Sequence, residues 1–352
     1  MSLYTLDFSV IGTADHARVG GKCASLGQMT QAGVAVPPGF AVTTDAYAAM
    51  LDDHGLRAEI ARHMSGLDPY DLDSIDRAAQ AIRIRIRSHK LPEAVEAAIR
   101  EAYAKMGDIP VAVRSSATAE DMPDASFAGQ QDTYLWVRGI EDVLEKVRDC
   151  WASLYTTRAV AYREKNRIVH ADVLMSVGVQ KMVNAKAAGV AMSLDPLNGD
   201  RTKIVIDASW GLGEMVVSGV VTPDNYTVEK VMETIIKRVI SDKHVELVGD
   251  AVLGEAVERE VDEARRRVQC LTDAEILAVA RLAKRLEKQN KCPQDVEWAI
   301  DADLADGENL LALQSRPETI WSQKKKDEPK KTYATGMMGI VGTLTTAMPV
   351  RR

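Results

Sequence analysis

The stretch "IPVAVRSSATAED", residues 109–121, places an apolar run directly before a polar cluster. The run predicts a buried β-strand. The residues after it supply a cation, three hydroxyls and two carboxylates. A buried strand that leads straight into such a cluster is unusual as plain packing. The pattern therefore predicts a strand whose end binds a polar ligand, with a capped strand end as the structural alternative.

Composition places the chain among ordinary globular proteins. Of its 352 residues, 46% are hydrophobic and 27% are charged, which argues against disorder. The net charge of -7 argues against a general nucleic-acid binder, whose surface would be basic. Cys23, Cys150, Cys270 and Cys292 lie far apart without a CxxC pair, which favours reduced thiols. With no signal-peptide pattern and no run of about 18 apolar residues, we expect a cytoplasmic protein.

The order of predicted elements divides the chain into helical and strand-rich parts. The region from about 50 to 108 is predicted to be helical, with a break at Pro92. Strand patterns dominate after residue 110, apart from one helix predicted over 141–166 and another over 271–290. A hairpin is predicted over 295–317.

Lys22 follows two glycines in "RVGGKCASL", at a predicted helix start. Backbone N–H groups and the helix dipole favour an anion at such a position. His16 and Cys23 stand where a Walker A loop needs Gly and Ser or Thr, so the motif is not a Walker A loop. A Gly-Gly-Lys turn without function is the alternative interpretation.

The predicted hairpin carries a second group of candidate residues. Side chains alternate along a strand, so Asp295 and Glu297 share one face, and Gln314 and Arg316 share a face of the returning strand. Carboxylate oxygens are ligands that Mg²⁺ prefers, and a guanidinium group can bind two phosphate oxygens. The hairpin therefore predicts a metal and phosphate site, with the solvated face of an edge hairpin as the alternative.

Together, these features are the parts that nucleotide phosphoryl transfer requires. That chemistry depends mainly on positioning and on charge neutralisation by cations and Mg²⁺. Lys22 and Arg114 would be the cations, while Asp295, Glu297 and Gln314 would hold the metal. We therefore expect ATP and Mg²⁺ as cofactors, with Mn²⁺ or a monovalent cation as alternative ions.

Several motifs resemble, in order, the nucleotide-binding part of the phosphoenolpyruvate synthase family, which is related to pyruvate phosphate dikinase and rifampin phosphotransferase. They are "GGKCASLGQM", "VAVRSSATAEDMPDASFAGQQDT", "VQKMV", "WGLGEMVVSGVVTPDNYTV", "DVEWAI" and "LQSRPET", and they extend from about residue 19 to 320. The resemblance implies an α+β fold of the ATP-grasp type, in which two lobes clamp ATP. It implies an N-terminal nucleotide-binding lobe over 1–190 with the helical insertion at about 50–108, a second lobe with the metal-binding hairpin over 191–321, and a charged linker and tail over 322–352.

The resemblance also assigns roles to individual residues. Lys22, Arg114 and Arg316 form the implied catalytic set, and Glu214 is implied to bind the ribose. The implied contacts around the phosphates are Lys22, Arg114, Gly129, Gln130 and Thr133. The implied contacts at an adenine-side hinge are Gln180, Lys181, Met182 and Val183. Glu214, Gln314 and Arg316 complete the implied set of nucleotide contacts. The implied metal ligands are Asp295, Glu297 and Gln314.

Members of that family pass the phosphoryl group through a histidine in a Gly-rich Thr-Ser-His-Ala segment. The six histidines here, His16, His54, His63, His89, His170 and His244, all lie in other contexts. The resemblance therefore implies a chain that lacks the phosphohistidine and acceptor-barrel domains. We expect either a fragment or a subunit whose partner carries the histidine and the acceptor site, with no nucleic acid and no membrane as partner.

The resemblance is greatest to the ATP-binding subunit of phenylphosphate synthase. It implies that Mg-ATP transfers its pyrophosphoryl part to the partner's histidine, forming AMP and phosphate, for a phenol-type acceptor. One alternative is the ATP-binding domain of a phosphoenolpyruvate synthase or of a rifampin-type phosphotransferase. The sequence also leaves open an ATP-grasp ligase that makes an acyl phosphate, and a non-catalytic subunit that senses nucleotide.

Overall fold

The computed structural model describes residues 2–117, 132–250 and 252–321. The predicted phosphate contacts Gly129 and Gln130, and the predicted linker and tail over 322–352, lie outside the described residues. The chain forms two compact units, Met1–Pro317 and Glu318–Arg352. The fold and the site below belong to the first unit.

The described helices combine apolar stripes with polar caps. In the long helix near the C-terminal end, Thr272 and Glu275 form a reciprocal capping box, and Ile276, Val279 and Ala283 are buried at helical spacing. The helices are α1 His16–Gln31, α2 Thr44–Asp52, α3 Leu56–Met64, α4 Leu72–Ser88, α5 Glu93–Met106, α6 Ile140–Ala152, α7 Thr157–Lys165, α8 Glu214–Val217, α9 Glu263–Arg266 and α10 Asp273–Asn290.

Strands account for most of the remaining regular structure. They are β1 Thr5–Asp7, β2 Gly39–Val42, β3 Val111–Ala117, β4 Thr133–Val137, β5 Met175–Lys181, β6 Ala185–Met192, β7 Lys203–Trp210, β8 Asp224–Glu229, β9 Thr234–Val239, β10 Val245–Asp250, β11 Glu255–Glu260, β12 Gln294–Asp301 and β13 Leu310–Pro317. The mixture of helices and sheets agrees with the predicted α+β class.

Two larger antiparallel sheets organise the fold. The first has five strands in the order β1-β2-β5-β3-β4, and the second has six in the order β13-β12-β6-β7-β8-β9. Strands β10 and β11 pair as a separate two-stranded sheet. The hairpin predicted over 295–317 is confirmed as β12 and β13.

Two hydrophobic cores cover opposite sides of the first sheet. One core packs helices α2 to α7 against β2, β3 and β5, with Tyr47 and Trp151 fully buried in it. The other joins α1 and α10 to one face of the six-stranded sheet, where Met29 and Trp298 are buried. Since α1 belongs to this second core and also contacts β3 and β5, it connects the two sheets.

The region around Pro92 and the segment 141–166 test the helix predictions. Pro92 is the N-cap of α5, so the predicted break is confirmed. The single helix predicted over 141–166 is wrong, because Ser153–Tyr155 forms a 3-10 turn between α6 and α7. The Thr156 hydroxyl accepts from the N–H of Ala159 and caps a new helix there.

No helix within 2–117, 132–250 or 252–321 has the length and apolar character needed to cross a bilayer.

Candidate functional site

The antiparallel register of β12 and β13 determines which side chains share a face. Asp295 is paired with Arg316, and Glu297 is paired with Gln314. Directly paired residues project to the same face of an antiparallel sheet. All four predicted hairpin residues therefore lie on one face, and Val296 and Trp298 are buried on the other.

A β-bulge interrupts this ladder beside the candidate residues. Glu297 is opposite Gln314 but Trp298 is opposite Ala312, so Leu313 is the extra residue of β13. Leu313 and Gln314 both line a small cavity as a result. The bulge thus adds an apolar side chain next to a polar one at the same point of the site.

Four of the predicted residues converge on that cavity from separate elements. It is lined by Lys22 of α1, Arg114 of β3, Gln180 of β5 and Gln314 of β13, together with apolar side chains that include Leu313. Because β3 and β5 belong to the first sheet and β13 to the second, the cavity lies between the two sheets.

Arg114 makes the shortest link between the sheets at this site. Its Nη2 donates to Glu297 Oε2 at 2.7 Å, and its Nη1 donates to the carbonyl oxygen of Leu313 at 3.4 Å. The Arg114 side chain is 17% exposed and that of Glu297 is 27% exposed. A partly buried pair of this kind is screened by solvent less than a surface pair.

The environment of Glu297 favours its ionised form. Burial raises the pKa of the Glu297 carboxyl, but the neighbouring cations, led by the charge and the hydrogen bond of Arg114, together outweigh burial, so the pKa lies below its usual value. Lys22 and Arg316 add smaller effects in the same direction. Glu297 is therefore a carboxylate at neutral pH, which is the form that binds a divalent cation.

Two buried polar atoms at the site have no hydrogen-bond partner among the described residues. They are Nε of Arg114 and Oε1 of Gln314, and the Gln314 residue is only 6% exposed. Buried polar atoms are nearly always hydrogen-bonded, so unpaired ones call for an explanation. A ligand with oxygen atoms and a bound cation would satisfy both.

Asp295 and Arg316, the other two predicted hairpin residues, do not line the cavity. Arg316 is 63% exposed in its side chain, and its Nε is 3.6 Å from Asp295 Oδ2. Within the described parts of the chain, no group of three or more His, Cys, Asp or Glu side chains could hold a metal ion. A metal here would therefore take its protein ligands from Glu297, Asp295 and the amide oxygen of Gln314. Those oxygen donors fit Mg²⁺.

Lys22 is held against β3. It lies in the second part of α1, and its Nζ donates to the carbonyl oxygen of Ser115 at 3.0 Å. Thr133, at the start of β4, is paired with Arg114 in the same sheet. Both residues thus lie beside the second half of β3, and the polar residues Arg114, Ser115 and Ser116 belong to the strand itself and do not follow its end as the sequence predicted.

Two backbone N–H groups of the predicted adenine-side hinge already have hydrogen-bond partners. The N–H of Lys181 donates to the carbonyl oxygen of Pro38 at 2.8 Å, and the N–H of Met182 donates to the carbonyl oxygen of Pro110 at 2.9 Å. Only Gln180 of this segment lines the cavity. Val183 is buried in a small apolar cluster with Ala188 and Ala299, on which a flat apolar ring could pack.

Glu214 does not lie in the cavity lining. It is the first residue of the short helix α8, and its side chain is exposed. Helix α8 contacts β6 and β7, next to the cluster formed by Val183, Ala188 and Ala299. The structure therefore places Glu214 at the periphery of the site.

Sequence reasoning missed Asp207 of β7. It is paired with Val190, which is paired with Glu297, so Asp207 lies on the same sheet face about 10 Å from Glu297, two strand spacings away. Asn225 donates to Asp207 Oδ1 at 2.8 Å. The sequence "KIVIDASW" contained a signal for this residue, because Asp207 is the one acidic residue of an apolar strand and takes the face opposite to Ile204 and Ile206.

Residues 16–337 match the family described as "Pyruvate phosphate dikinase, AMP/ATP-binding domain". The chain belongs to this family. It is 41% identical over 346 residues to a probable phosphoenolpyruvate synthase of Methanothermobacter thermautotrophicus, with 97% of this chain and 49% of the relative covered. It is 39% identical over 364 residues to the phosphoenolpyruvate synthase of Pyrococcus furiosus, with 91% of this chain and 44% of the relative covered.

The chain spans about half the length of these relatives. Among solved structures, D-alanyl-alanine synthetase A of Vibrio cholerae is 9% identical with a TM-score of 0.27, covering 77% of this chain and 63% of the other. A similarity at that level has no weight for the fold. The family membership agrees with the resemblance to the nucleotide-binding part of phosphoenolpyruvate synthase that the motifs indicated.

Proposed function

We propose that this chain is the ATP-binding part of a dikinase-type phosphotransferase of the phosphoenolpyruvate synthase kind. One observation supports this most directly. Lys22, Arg114, Gln180 and Gln314 come from four elements and two sheets to line one cavity. The family description and the names of the relatives agree with this proposal.

The acceptor proposed here differs from the one expected first from the sequence. The relatives carry the name phosphoenolpyruvate synthase, and the comparisons offer no support for a phenol-type acceptor. The alternative, the ATP-binding domain of a phosphoenolpyruvate synthase, is therefore the function that we propose. A rifampin-type acceptor has no observation in its favour.

The proposed arrangement is of the ATP-grasp type, with ATP between the five-stranded and six-stranded sheets. The adenine ring would pack on the apolar cluster of Val183, Ala188 and Ala299. The triphosphate would extend towards Lys22 and Arg114, whose charges would neutralise it.

The residues of this chain would act mainly by positioning. Arg114 would bind phosphate oxygens with its guanidinium group while its contact with Glu297 sets its orientation. Glu297, Gln314 and Asp295 would hold Mg²⁺, and Arg316 would approach the terminal phosphate from the rim. A bound Mg²⁺ would neutralise charge that develops on the phosphates during transfer.

The group that receives the phosphoryl part is proposed to be a histidine other than the six in this sequence. Two described histidines already have structural partners: His89 Nε2 lies 3.3 Å from Asp53, and His170 lies between Arg163 and Glu164. Transfer of the pyrophosphoryl part of ATP to such a histidine would form AMP, and hydrolysis of the terminal phosphoryl group by water would release phosphate and leave phosphohistidine. The family's description as an AMP/ATP-binding domain supports this stoichiometry.

The proposal is tested with ATP that is labelled separately at the β and γ phosphates. Purified chain and Mg-ATP are incubated alone, and then with the part of the Pyrococcus furiosus relative that this chain does not cover, which is proposed to supply the acceptor histidine. We expect AMP, and label from the β phosphate on a histidine of the added protein. ADP or an acyl phosphate from the chain alone would favour a ligase instead, and nucleotide binding without any transfer would favour a sensor.

A further inference from the structure

Helix α1 is interrupted at Gly20, two residues before Lys22. Gly20 has φ 68° and ψ 172°, a conformation that L side chains rarely adopt. A Cβ at this position would lie 2.2 Å from the carbonyl oxygen of Ser116. Glycine is thus required both by the backbone conformation and by the close approach of β3.

The Ser116 hydroxyl joins the two parts of the interrupted helix. It accepts from the N–H of Cys23 at 3.2 Å and donates to the carbonyl oxygen of Val19 at 2.8 Å. Helix ends leave N–H and carbonyl groups without intrahelical partners, and a serine hydroxyl is a usual substitute at such ends. Here the serine comes from a strand 93 residues away, and it is 1% exposed.

Three consecutive residues of β3 therefore serve the same site. The Arg114 side chain reaches Glu297, the Ser115 carbonyl accepts from Lys22, and the Ser116 hydroxyl holds the helix that carries Lys22. One segment of β3 therefore carries Arg114 and also fixes the position of Lys22.

We propose that Ser116 is a positioning residue that sets the place of the Lys22 ammonium group relative to Arg114 for binding a nucleotide polyphosphate. This proposal rests on the function proposed above. Ser116 would not touch the ligand, because its hydroxyl is already engaged with Val19 and Cys23. It would act by holding Lys22 in place before the phosphates arrive, so that less ordering is needed on binding.

The test compares ATP with adenosine, which shares the base and the ribose but has no phosphates. Equilibrium dissociation constants for both are measured by calorimetry with wild type and Ser116→Ala. We expect Ser116→Ala to weaken ATP binding about tenfold and to leave adenosine binding within about twofold. A purely structural role would weaken both ligands alike, so the ratio of the two constants is the diagnostic quantity.

Ser176→Ala is a matched control. Ser176 is directly opposite Ser116 in the ladder of β3 and β5, and its buried hydroxyl has no hydrogen-bond partner among the described residues. The substitution removes the same atom from the same core without breaking a hydrogen bond. We expect it to leave the ratio of ATP to adenosine affinity unchanged.

The link to Lys22 is tested by a double-mutant cycle. If Ser116 acts through Lys22, Ser116→Ala should change the ATP constant by less than about twofold in a Lys22→Ala background. Ser116→Cys, which keeps the shape but bonds more weakly, is the second variant in case Ser116→Ala does not fold. Ser116→Cys should also weaken ATP binding more than adenosine binding, but by a smaller factor than Ser116→Ala.

The outcomes separate this proposal from the function on which it rests. If wild type binds ATP more tightly than adenosine but the ratio is unaltered in Ser116→Ala or in Ser116→Cys, the positioning role is wrong and the proposed function stands. If wild type binds ATP no better than adenosine, both are wrong. If Ser116→Ala weakens ATP binding by the same factor in the Lys22→Ala background as in wild type, the positioning role is also wrong.

Discussion

Arg114 Nη2 lies 2.7 Å from Glu297 Oε2, and this contact joins β3 of the five-stranded sheet to β12 of the six-stranded sheet. The two residues are 183 positions apart in the chain. One is a proposed phosphate ligand and the other a proposed metal ligand, so the two halves of the site hold each other in place. Disturbing either residue should therefore change both ligand binding and the contact between the sheets.

Arg114→Ala should lower turnover with Mg-ATP by on the order of 10²–10³-fold, because a preorganised cation that faces developing phosphate charge typically contributes that much. The rate of AMP formation measures the effect. Arg238→Ala is the matched control, since it breaks an exposed ion pair with Asp273 on the helix α10 side of the second sheet. Near-normal turnover of Arg114→Ala would remove Arg114 from the site.

Glu297→Gln should abolish Mg²⁺-dependent activity while leaving the chain folded, because the amide keeps the shape but not the charge. Titration of activity with Mg²⁺, together with circular dichroism, measures the two effects separately. Glu233→Gln serves as control, as Glu233 pairs with Arg281 and Lys284 at the surface. A Glu297→Gln variant with an unchanged Mg²⁺ requirement would show that Glu297 is not a metal ligand.

Asp207→Asn should raise the thermal stability at neutral pH. Burial raises the pKa of Asp207 above 3.8, and the hydrogen bond from Asn225 opposes this only in part. A carboxyl whose pKa is higher in the folded than in the unfolded protein stabilises the fold in its protonated form. This contribution to the free energy of unfolding is lost as the pH rises from about 3.8 through the pKa of the folded protein. The gain in melting temperature should therefore be present at pH 7 and disappear below pH 3.8.

Asp273→Asn should change the thermal stability at pH 7 in the opposite direction to Asp207→Asn. Arg238 holds the pKa of Asp273 below 3.8, so its charge stabilises the fold above that value and the contribution is lost as the pH falls. We expect the Asn variant to be slightly less stable than wild type at pH 7. Equal shifts of the two variants at pH 7 would contradict the role of burial at Asp207.

Gly249→Ala should destabilise the fold by about 1–3 kcal/mol, the usual cost of overpacking. A Cβ on Gly249 of β10 would lie 2.1 Å from the ring of Trp136 in β4. Chemical denaturation of Gly249→Ala, Trp136→Ala and the double variant measures the coupling. The glycine substitution should cost much less in the Trp136→Ala background. Equal costs in both backgrounds would show that the ring is not what excludes the side chain.

Local patterns were sufficient for part of the site. The alternation of Asp295, Val296, Glu297 and Trp298 depends only on the period of a strand, and the register of β12 and β13 agrees with it. The hairpin itself was predicted from neighbouring residues. The β-bulge at Leu313 was not predicted, because it depends on how the two strands fit against each other.

Other features depend on contacts that no local pattern reports. No single strand motif marked β9, β10 and β11 within the strand-rich part of the sequence, because their exposed and half-buried residues give a weak strand pattern. The N–H groups of Lys181 and Met182 donate to Pro38 and Pro110, which are distant in sequence.

The amino-acid sequence by itself determined the family, the strand that contains Arg114, Ser115 and Ser116, and the two pairs Asp295 with Glu297 and Gln314 with Arg316 that each share a face of their strand. These follow from motif order and strand period, which are local properties. The tertiary structure decided that Arg114 meets Glu297, that Ser116 holds the helix of Lys22, and that Glu214 and Arg316 lie at the rim. Such contacts join residues from different elements, so they depend on how α1 and the two sheets pack together.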